Sequence, residues 1–173
     1  SNAVDVRQFA YLDLFAGAFG HTYGCHAIWQ MYSPNRPAVN GPHMYWFDAL
    51  ELPAANQMIY VKRLMTARPM LDRVPDQSLI VENNLNPADR IQATRGRDYA
   101  FVYTSSGRPF TLNPGKISGE SVTANWFDPR TGKAKPAPAF ANKSPQLFTP
   151  PDAGYGHDWV LILDDSAKNY PLP

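Results

Sequence analysis

The 173-residue chain has a single cysteine, Cys25, and therefore cannot form an internal disulfide or a zinc site built from several cysteines. It also lacks an excess of either charge, with 16 Lys and Arg residues against 15 Asp and Glu residues. This balance argues against nucleic acid or an anionic membrane as a partner, because both require a basic surface. No apolar run reaches the roughly 18 residues of a membrane span.

The signature motifs of several enzyme classes are missing as well. The chain contains no HExxH, G-x-S-x-G, GxGxxG or P-loop sequence. Cys25 stands beside His26, but adjacent side chains usually point apart, so the two are not interpreted as a nucleophile and its base. The histidines are scattered along the sequence, at positions 21, 26, 43 and 157. We therefore predict no metal site, and no cofactor is implied.

A pair of carboxylates for glycoside cleavage is not evident either. Such a pair lies about 5–9 Å apart in a cleft. The acids of the first half fall on predicted helices or near chain ends, not after strands, where a barrel enzyme places them. Near the other end, Asp158, Asp164 and Asp165 flank a predicted strand and are interpreted as solvated turn acids. The sequence therefore predicts no catalytic residue.

What the chain does contain indicates a folded protein rich in turns. Its 9 Phe, 9 Tyr and 4 Trp residues are far more than a disordered chain carries. Its 17 prolines amount to about twice ordinary usage. Residues 1–3, with the sequence Ser-Asn-Ala, are interpreted as the remnant of an expression tag and are left out of the fold.

Two helices are predicted in the first part of the chain. Asp5 and Gln8 fit a capping box at the start of the first helix. Its apolar face is predicted to include residues 6, 9, 10, 14 and 18. The second helix has Pro53 in its first turn and ends at Arg68, because Pro69 follows it. Between the helices, residues 21–23 form a short extended stretch, followed by a long loop that is typical of functional segments.

From about residue 70 the pattern changes to short β-type runs separated by turn sequences. Seven strands are predicted, at residues 79–81, 91–94, 99–104, 109–112, 122–127, 146–148 and 159–163. The strand at 99–104 shows no polar alternation in its first five residues, which predicts a central strand covered on both faces. Residues 133–138 are predicted as a loop rich in Lys, Pro and Ala. Short strands at this spacing predict an antiparallel β-sandwich of about seven to eight strands.

The segment from His21 to Tyr32 carries the densest set of chemically useful side chains. It contains two His, two Tyr, a Trp and a Gln. Aromatic faces stack on the C–H surfaces of sugars, while imidazole, amide and phenol groups bond hydroxyls. The segment therefore fits the rim of a sugar site, but the same aromatics could close a core where helices meet the sheet.

Several motifs, in order, resemble the C-terminal end of the apiosidase-like glycoside hydrolases. In the first half they are AGAFGHTYG at residues 16–24 and IWQ at residues 28–30. In the second half they are YAFVYT at 99–104, GRPF at 107–110, WFDPRTG at 126–132 and GHDWVL at 156–161. These enzymes are bacterial (β/α)8 barrels followed by a sandwich labelled a "putative collagen-binding domain of a collagenase".

The resemblance implies that residues 4–72 are the helical remnant of a (β/α)8 barrel and residues 73–173 an accessory sandwich. A whole barrel needs about 250 residues. The stretch at residues 21–23 would be its last strand, and the catalytic carboxylates would lie upstream of Val4. Four residues are then candidate sugar contacts in the full enzyme: His21, Tyr23, His26 and Trp29. The resemblance also implies a secreted, periplasmic or cell-surface location.

The resulting hypothesis is a non-catalytic C-terminal fragment whose sandwich supports the barrel and binds polysaccharide. One alternative is a module that adheres to collagen or a similar matrix; another is a fragment that keeps glycosidase activity. The strand aromatics are predicted to be core, whereas Tyr155 and Tyr170 are predicted to be exposed. Because large apolar patches are uncommon on soluble monomers, the two helices are expected to fold onto the sandwich or to pair with a second chain as a homo-oligomer.

Overall fold

The computed structural model describes residues 2–82 and 86–173. In these residues the helices are α1 (Ala3–Phe15), α2 (His26–Trp29) and α3 (Pro53–Thr66). The first four strands are β1 (Val74–Pro75), β2 (Ile91–Arg95), β3 (Tyr99–Thr104) and β4 (Phe110–Leu112). The last four are β5 (Ser121–Phe127), β6 (Ala134–Ala141), β7 (Gln146–Phe148) and β8 (Trp159–Asp165). The predicted fold class, a helical N-terminal part followed by an antiparallel β-sandwich, is confirmed, and no barrel closes in the described residues.

The central element is a six-stranded antiparallel sheet with the order β1-β2-β3-β8-β5-β6. Strands β3 and β8 lie in its middle and are buried along their whole length. Alternate side chains of these strands therefore enter two different cores, which explains why their sequences lack polar alternation. The prediction of a central strand at residues 99–104 is confirmed.

One face of this sheet packs against a second sheet formed by β4 and β7. The ring of Trp126 lies at its centre, with centroid distances of 6.1 Å to Phe110 and 6.4 Å to Phe148 and Trp159. The same core includes the aliphatic side chains of Leu79, Ile80, Val102, Leu112, Leu161 and Leu163. This core is the sandwich proper.

Helices α1 and α3 cover the opposite face of the six-stranded sheet. Tyr11 stacks on Tyr103 with ring centroids 5.1 Å apart, and Phe15 stacks on Phe101 at 5.9 Å. From α3, the side chains of Val61, Leu64 and Met65 join this core. The helices thus fold onto the sandwich, the first of the two arrangements expected from their apolar faces.

Helix α1 begins earlier and is rotated relative to the sequence prediction. Its capping box is formed by Asn2 and Asp5, not by Asp5 and Gln8, so residues assigned to a tag remnant take part in the helix. Ser1 lies outside the described residues. Phe9 is 57% exposed although its spacing predicts a core position. The helix buries instead the side chains of Arg7, Ala10, Tyr11, Leu14 and Phe15.

Two buried ion pairs join the helices to β8 and overturn the interpretation of its acids as solvated. Arg7 of α1 donates from Nη2 to Asp158 Oδ1 at 2.7 Å and from Nε to Oδ2 at 3.1 Å. Arg68, just after α3, donates from Nε and Nη2 to the two oxygens of Asp164, both at 2.8 Å. Asp165 is also buried and accepts from the Ser118 hydroxyl at 2.6 Å. These carboxylates are buried because each has a charged or hydrogen-bonding partner.

Two predicted local structures are wrong. Residues 133–138 are not a loop, because β6 runs along the edge of the sheet, where proline's missing N–H is tolerated. Residues 79–81 are not a strand but the end of a 3₁₀ turn and a single bridge from Ile80 to Leu112. Residues 21–23, the predicted extended stretch, have no strand partner among the described residues.

Of the two tyrosines predicted to be exposed, one is exposed and the other is half-buried. Tyr155 is 73% exposed, as predicted. Tyr170 is half-buried, which the sequence did not predict: its hydroxyl donates to Asp98 at 3.0 Å and its ring lies 4.5 Å from the Arg68 guanidinium. The five strand aromatics predicted as core are all buried, namely Tyr99, Phe101, Tyr103, Trp126 and Trp159.

Candidate functional site

Two of the four candidate sugar contacts, Tyr23 and His26, line one groove of about 580 Å³. We call it the His26 groove. Its floor is formed by the start of α1 and α3, and its opposite wall by residues 40–44 of the long loop. That wall brings in His43, so two imidazoles and a phenol share the groove. His43 was not among the predicted site residues, because 17 positions separate it from His26 and nothing in the sequence links them.

The other two candidates lie beside this groove. His21 lines a separate, mainly apolar groove of about 340 Å³ between α1 and α3, and Tyr23 borders both. The His21 Nδ1 atom is 3.9 Å from Asp13 Oδ2, beyond hydrogen-bond distance. Trp29 lines neither groove, but its ring is 60% exposed and lies edge-on to His26 with centroids 5.8 Å apart. His26 therefore shares one groove with Tyr23 and contacts the Trp29 ring, whereas His21 shares the other groove with Tyr23.

The long loop between α2 and α3 carries a row of aromatic rings. Tyr32 lies 5.2 Å from Tyr45, and Tyr45 lies 5.5 Å from Phe47, measured between ring centroids. Phe47 is 46% exposed and offers a free face at the end of this row. Exposed aromatic faces of this kind are suited to stacking on sugars. Tyr45 and Phe47 lie outside residues 21–32, the segment that the sequence predicts as the rim of a sugar site.

The loop is held in shape by Gln30. Its Nε2 donates to the Val39 carbonyl and its Oε1 accepts from the Val39 amide, both at 2.8 Å. Arg36 donates to the main-chain carbonyl of Gln30 at 3.1 Å. The amide of Gln30 is thereby committed to the loop itself, so its role is to position the loop and not to bond a hydroxyl.

The His26 groove presents side chains that can form hydrogen bonds. The phenol of Tyr23 is neutral and able to donate at neutral pH, and burial, with a smaller contribution from Cys25, raises its pKa further. None of the described residues that line the groove is Asp or Glu. A general acid and a nucleophilic carboxylate are both required for the ordinary glycosidase mechanism. Its imidazoles and phenol can form hydrogen bonds with hydroxyl groups.

A second polar cluster lies on the sandwich around Asp152. This carboxylate accepts from Trp159 Nε1 at 2.6 Å and lies 3.0 Å from His157 Nδ1. Although partial burial opposes it, these hydrogen bonds lower the pKa of Asp152. Arg130 stacks over the Trp159 ring at 5.0 Å. All four groups satisfy one another, so the cluster fixes the loops around β8.

Neither a metal centre nor a membrane span is found within residues 2–82 and 86–173. No group of three or more His, Cys, Asp or Glu side chains gathers there as metal ligands would. No helix in that part of the chain is both long and apolar enough to cross a bilayer.

Comparison with protein families gives two matches that follow one another along the chain. Residues 1–72 match the family described as "Apiosidase-like, catalytic domain". Residues 74–164 match the family described as "Putative collagen-binding domain of a collagenase". The resemblance inferred from the sequence motifs is thus confirmed. No curated protein matches the chain.

Among solved structures, a protein named "Glycoside hydrolase" is 41% identical with a TM-score of 0.94. A glycoside hydrolase family 5 protein from Bacteroides vulgatus ATCC 8482 is 43% identical with a TM-score of 0.92. Each alignment covers 99% of this chain but only 38% of the other protein. The chain is therefore related to carbohydrate-active enzymes. It belongs to the family of the "putative collagen-binding domain of a collagenase", joined here to a segment of the apiosidase-like catalytic domain.

Proposed function

We propose that the chain is the non-catalytic C-terminal part of a secreted or periplasmic carbohydrate-active enzyme. In this proposal, residues 4–72 are the last helices and loop of a barrel, and residues 73–173 are an accessory sandwich that supports it. The relatives in which 38% of the length corresponds to this chain support the proposal, because they are glycoside hydrolases long enough to hold a barrel.

The observation that carries the supporting role is the shared core between α1, α3 and the sheet. The helices come from the segment that matches a catalytic domain, yet they are packed on the sandwich through stacked aromatic rings. Two buried Arg–Asp pairs fix them at two points along β8. A sandwich attached in this way holds the helices in place and, through them, the loop between α2 and α3.

The proposed contribution of the loop is to contact sugar. Tyr23, His26 and His43 converge on the His26 groove, where they can bond hydroxyl groups. Trp29 and Phe47 present exposed aromatic faces close by in the sequence. His21, which lines the apolar groove, has the weakest support as a direct contact.

The test is a chimera in which this chain follows the preceding part of the 41% identical glycoside hydrolase. The chain alone is expected to show no hydrolysis of aryl glycosides above buffer, and the chimera is expected to hydrolyse them. His26→Ala and His43→Ala in the chimera should raise KM by about tenfold, as expected for lost hydrogen bonds to substrate, with a smaller change in kcat. His157→Ala, on the sandwich, is the control and should leave KM unchanged.

Two outcomes would contradict the proposal. Turnover by the chain alone would show that it carries a catalytic pair. An active chimera whose KM is the same for His26→Ala, His43→Ala and the control would remove the loop from the substrate site while leaving the supporting role intact.

Binding to collagen or a similar matrix is the second candidate function, and the family description is the observation that favours it. Cosedimentation with fibrillar collagen tests it directly. Saturable binding by the chain would favour a matrix-binding module over the polysaccharide role of the sandwich. Pelleting no greater than that of a bovine albumin control would exclude it.

A further inference from the structure

A basic groove lies at one end of the six-stranded sheet, away from the His26 groove. It has a volume of about 560 Å³ and is formed by the β2–β3 turn and by residues 115–118 of the loop between β4 and β5. Its charged lining consists of Arg95, Arg97 and Lys116, with Asp72 at one side. Three cations therefore face a space that contains one carboxylate.

Two of the three cations are not neutralised. Arg97 and Lys116 form no salt bridge with any residue in the described ranges. Arg95 bonds Asp76 through Nε at 2.6 Å, an arrangement that holds its guanidinium in place. The groove therefore carries a local excess of positive charge on a chain whose formal net charge is only +1.

Two acids near the groove, Asp98 and Asp165, already have partners. Asp98 bonds the Tyr170 hydroxyl at 3.0 Å and pairs with Lys168 at 3.4 Å. Asp165 accepts from Ser118 at 2.6 Å, and this bond, with one from the backbone N–H of Ala167, lowers the pKa of that carboxyl. Neither of these carboxylates forms a salt bridge with Arg97 or Lys116 in the described ranges.

The walls of the groove are held by main-chain hydrogen bonds. The Ser118 amide donates to the Arg97 carbonyl at 2.9 Å, which joins one wall to the other. The Gly96 amide donates to the Tyr99 carbonyl at 3.0 Å, and the Gly115 amide donates to Asn142 Oδ1 at 2.7 Å. Because the backbone is fixed, binding an anion here would order only side chains, which keeps the entropic cost low.

We propose that the basic groove binds the carboxylate or sulfate groups of an anionic polysaccharide. Arginine presents a planar fork of N–H donors that matches a carboxylate or sulfate, and lysine adds a point charge. The lining contains no aromatic ring for base stacking, which argues against single-stranded nucleic acid. That the polymer is a polysaccharide rests on the proposed function; that the ligand is an anion rests on the groove itself.

The test uses the whole chain in affinity electrophoresis through gels that contain dextran, carboxymethyl-dextran or dextran sulfate. These three polymers share one glucan backbone, so only the anionic group differs. We expect retention in one or both of the anionic gels and none in neutral dextran. Preference for one anionic gel identifies the group, and raising the salt concentration should release the chain.

A pair of matched variants locates the site. Arg97→Gln/Lys116→Gln should weaken retention by about tenfold in apparent Kd. Lys133→Gln/Lys135→Gln removes the same charge at the opposite edge of the sheet, at exposed positions before and within β6, and should change it less than about twofold. Equal loss of retention in both variants would mean that binding depends on net charge alone, and this would overturn the proposal.

The remaining outcomes also decide the matter. No retention in either anionic gel would overturn the basic groove as a polysaccharide site. Activity of the chimera would then still support the role of the sandwich in holding the barrel helices. Retention in neutral dextran that persists in Arg97→Gln/Lys116→Gln would place polysaccharide binding elsewhere. Stronger retention by single-stranded DNA than by either anionic dextran would overturn the choice of polymer.

Discussion

At the scale of single residues, the buried guanidinium of Arg7 is expected to be the group most sensitive to substitution. It bonds Asp158, and its Nη1 atom also donates to Gln57 of α3 at 2.8 Å. Burial alone would lower the pKa of Arg7, but the hydrogen bond to Asp158 raises it. Tyr103 donates to the same carboxylate at 3.1 Å, so Arg7 and Asp158 together connect two helices and the central strand.

Removing either member of the Arg7–Asp158 pair should destabilise the folded chain. Asp158→Asn or Arg7→Leu is expected to lower the free energy of unfolding by about 3–5 kcal/mol, because each leaves an unpaired buried charge or its partners unsatisfied. Urea denaturation followed by circular dichroism measures it. Arg108→Gln, in an exposed pair with Asp89 at 3.5 Å, is the control and should cost less than about 1 kcal/mol. Equal losses of unfolding free energy in these variants and in Arg108→Gln would mean that burial does not strengthen the Arg7–Asp158 pair.

Tyr170 should make the chain sensitive to alkali. Burial, and then the Asp98 carboxylate, raises the pKa of Tyr170 from 10.0 to about 12. Burial and Asp158 likewise raise the pKa of Tyr11 and of Tyr103. Because the folded chain holds these protons more tightly, the stability is complete below about pH 10 and is lost as the pH rises through the folded pKa.

The measurement is the free energy of unfolding at several pH values between about 8 and 12, with phenolate absorbance recorded in parallel. It should decline above about pH 10. Tyr170→Phe removes one of the titrating groups and should flatten part of the decline. An unchanged slope in Tyr170→Phe would show that this phenol does not contribute.

At the scale of elements, helix α3 is fixed to the β5–β6 turn at Gly132. Arg63 donates to the Gly132 carbonyl, and the Tyr60 ring lies where a β-carbon would project. Gly132 also has φ +67°, a conformation that side chains disfavour. The turn and the helix therefore depend on the absence of a side chain at this position.

Gly132→Ala should for this reason lower the free energy of unfolding by about 1–3 kcal/mol. Gly20→Ala is the matched control, because nothing lies within 4 Å of its added carbon. Thermal unfolding of the two variants compares them. A Gly132→Ala variant no less stable than Gly20→Ala would mean that α3 shifts without cost.

The elements also show how far the sequence predicts structure. Strands β3 and β7 were predicted to the residue, because turn sequences bound each apolar run. Strand β6 was missed because Pro136 and Pro138 read as loop, and only the strand order reveals an edge. The phase of α1 was missed because apolar residues occur all around it, so burial is decided by the sheet beneath.

The candidate site was predictable only where its residues are close in sequence. Tyr23 and His26 share a groove, as their spacing allows, whereas His43 joins them through the path of a long loop. Asp158 and Asp164 were misread because their partners lie 151 and 96 positions away. A buried acid is recognisable only when its cation is known.

At the scale of the whole molecule, the sandwich is not independent of the helices. Without α1 and α3 it would expose three aromatic rings on β3, together with Phe127, Val160 and Ile162. Asp158 and Asp164 would also lose their cations. A contiguous exposed patch made of these apolar side chains would promote aggregation.

Residues 73–173 expressed alone should therefore be poorly soluble or lose cooperative unfolding, whereas the full chain should unfold in one transition. Binding of a hydrophobic dye and calorimetry distinguish the two states. A soluble, cooperatively unfolding 73–173 with little dye binding would show that the sandwich folds alone and that the helices merely rest on it.

The layer of helices on the sheet also has an evolutionary consequence. The two family matches meet between residues 72 and 74, but the apolar core and both Arg–Asp pairs cross that junction. Recombination at the junction would bring together helices and sheet whose side chains had not been selected as partners. The segment that can be exchanged intact between relatives therefore includes α1, so that this helix travels with the strands that it covers.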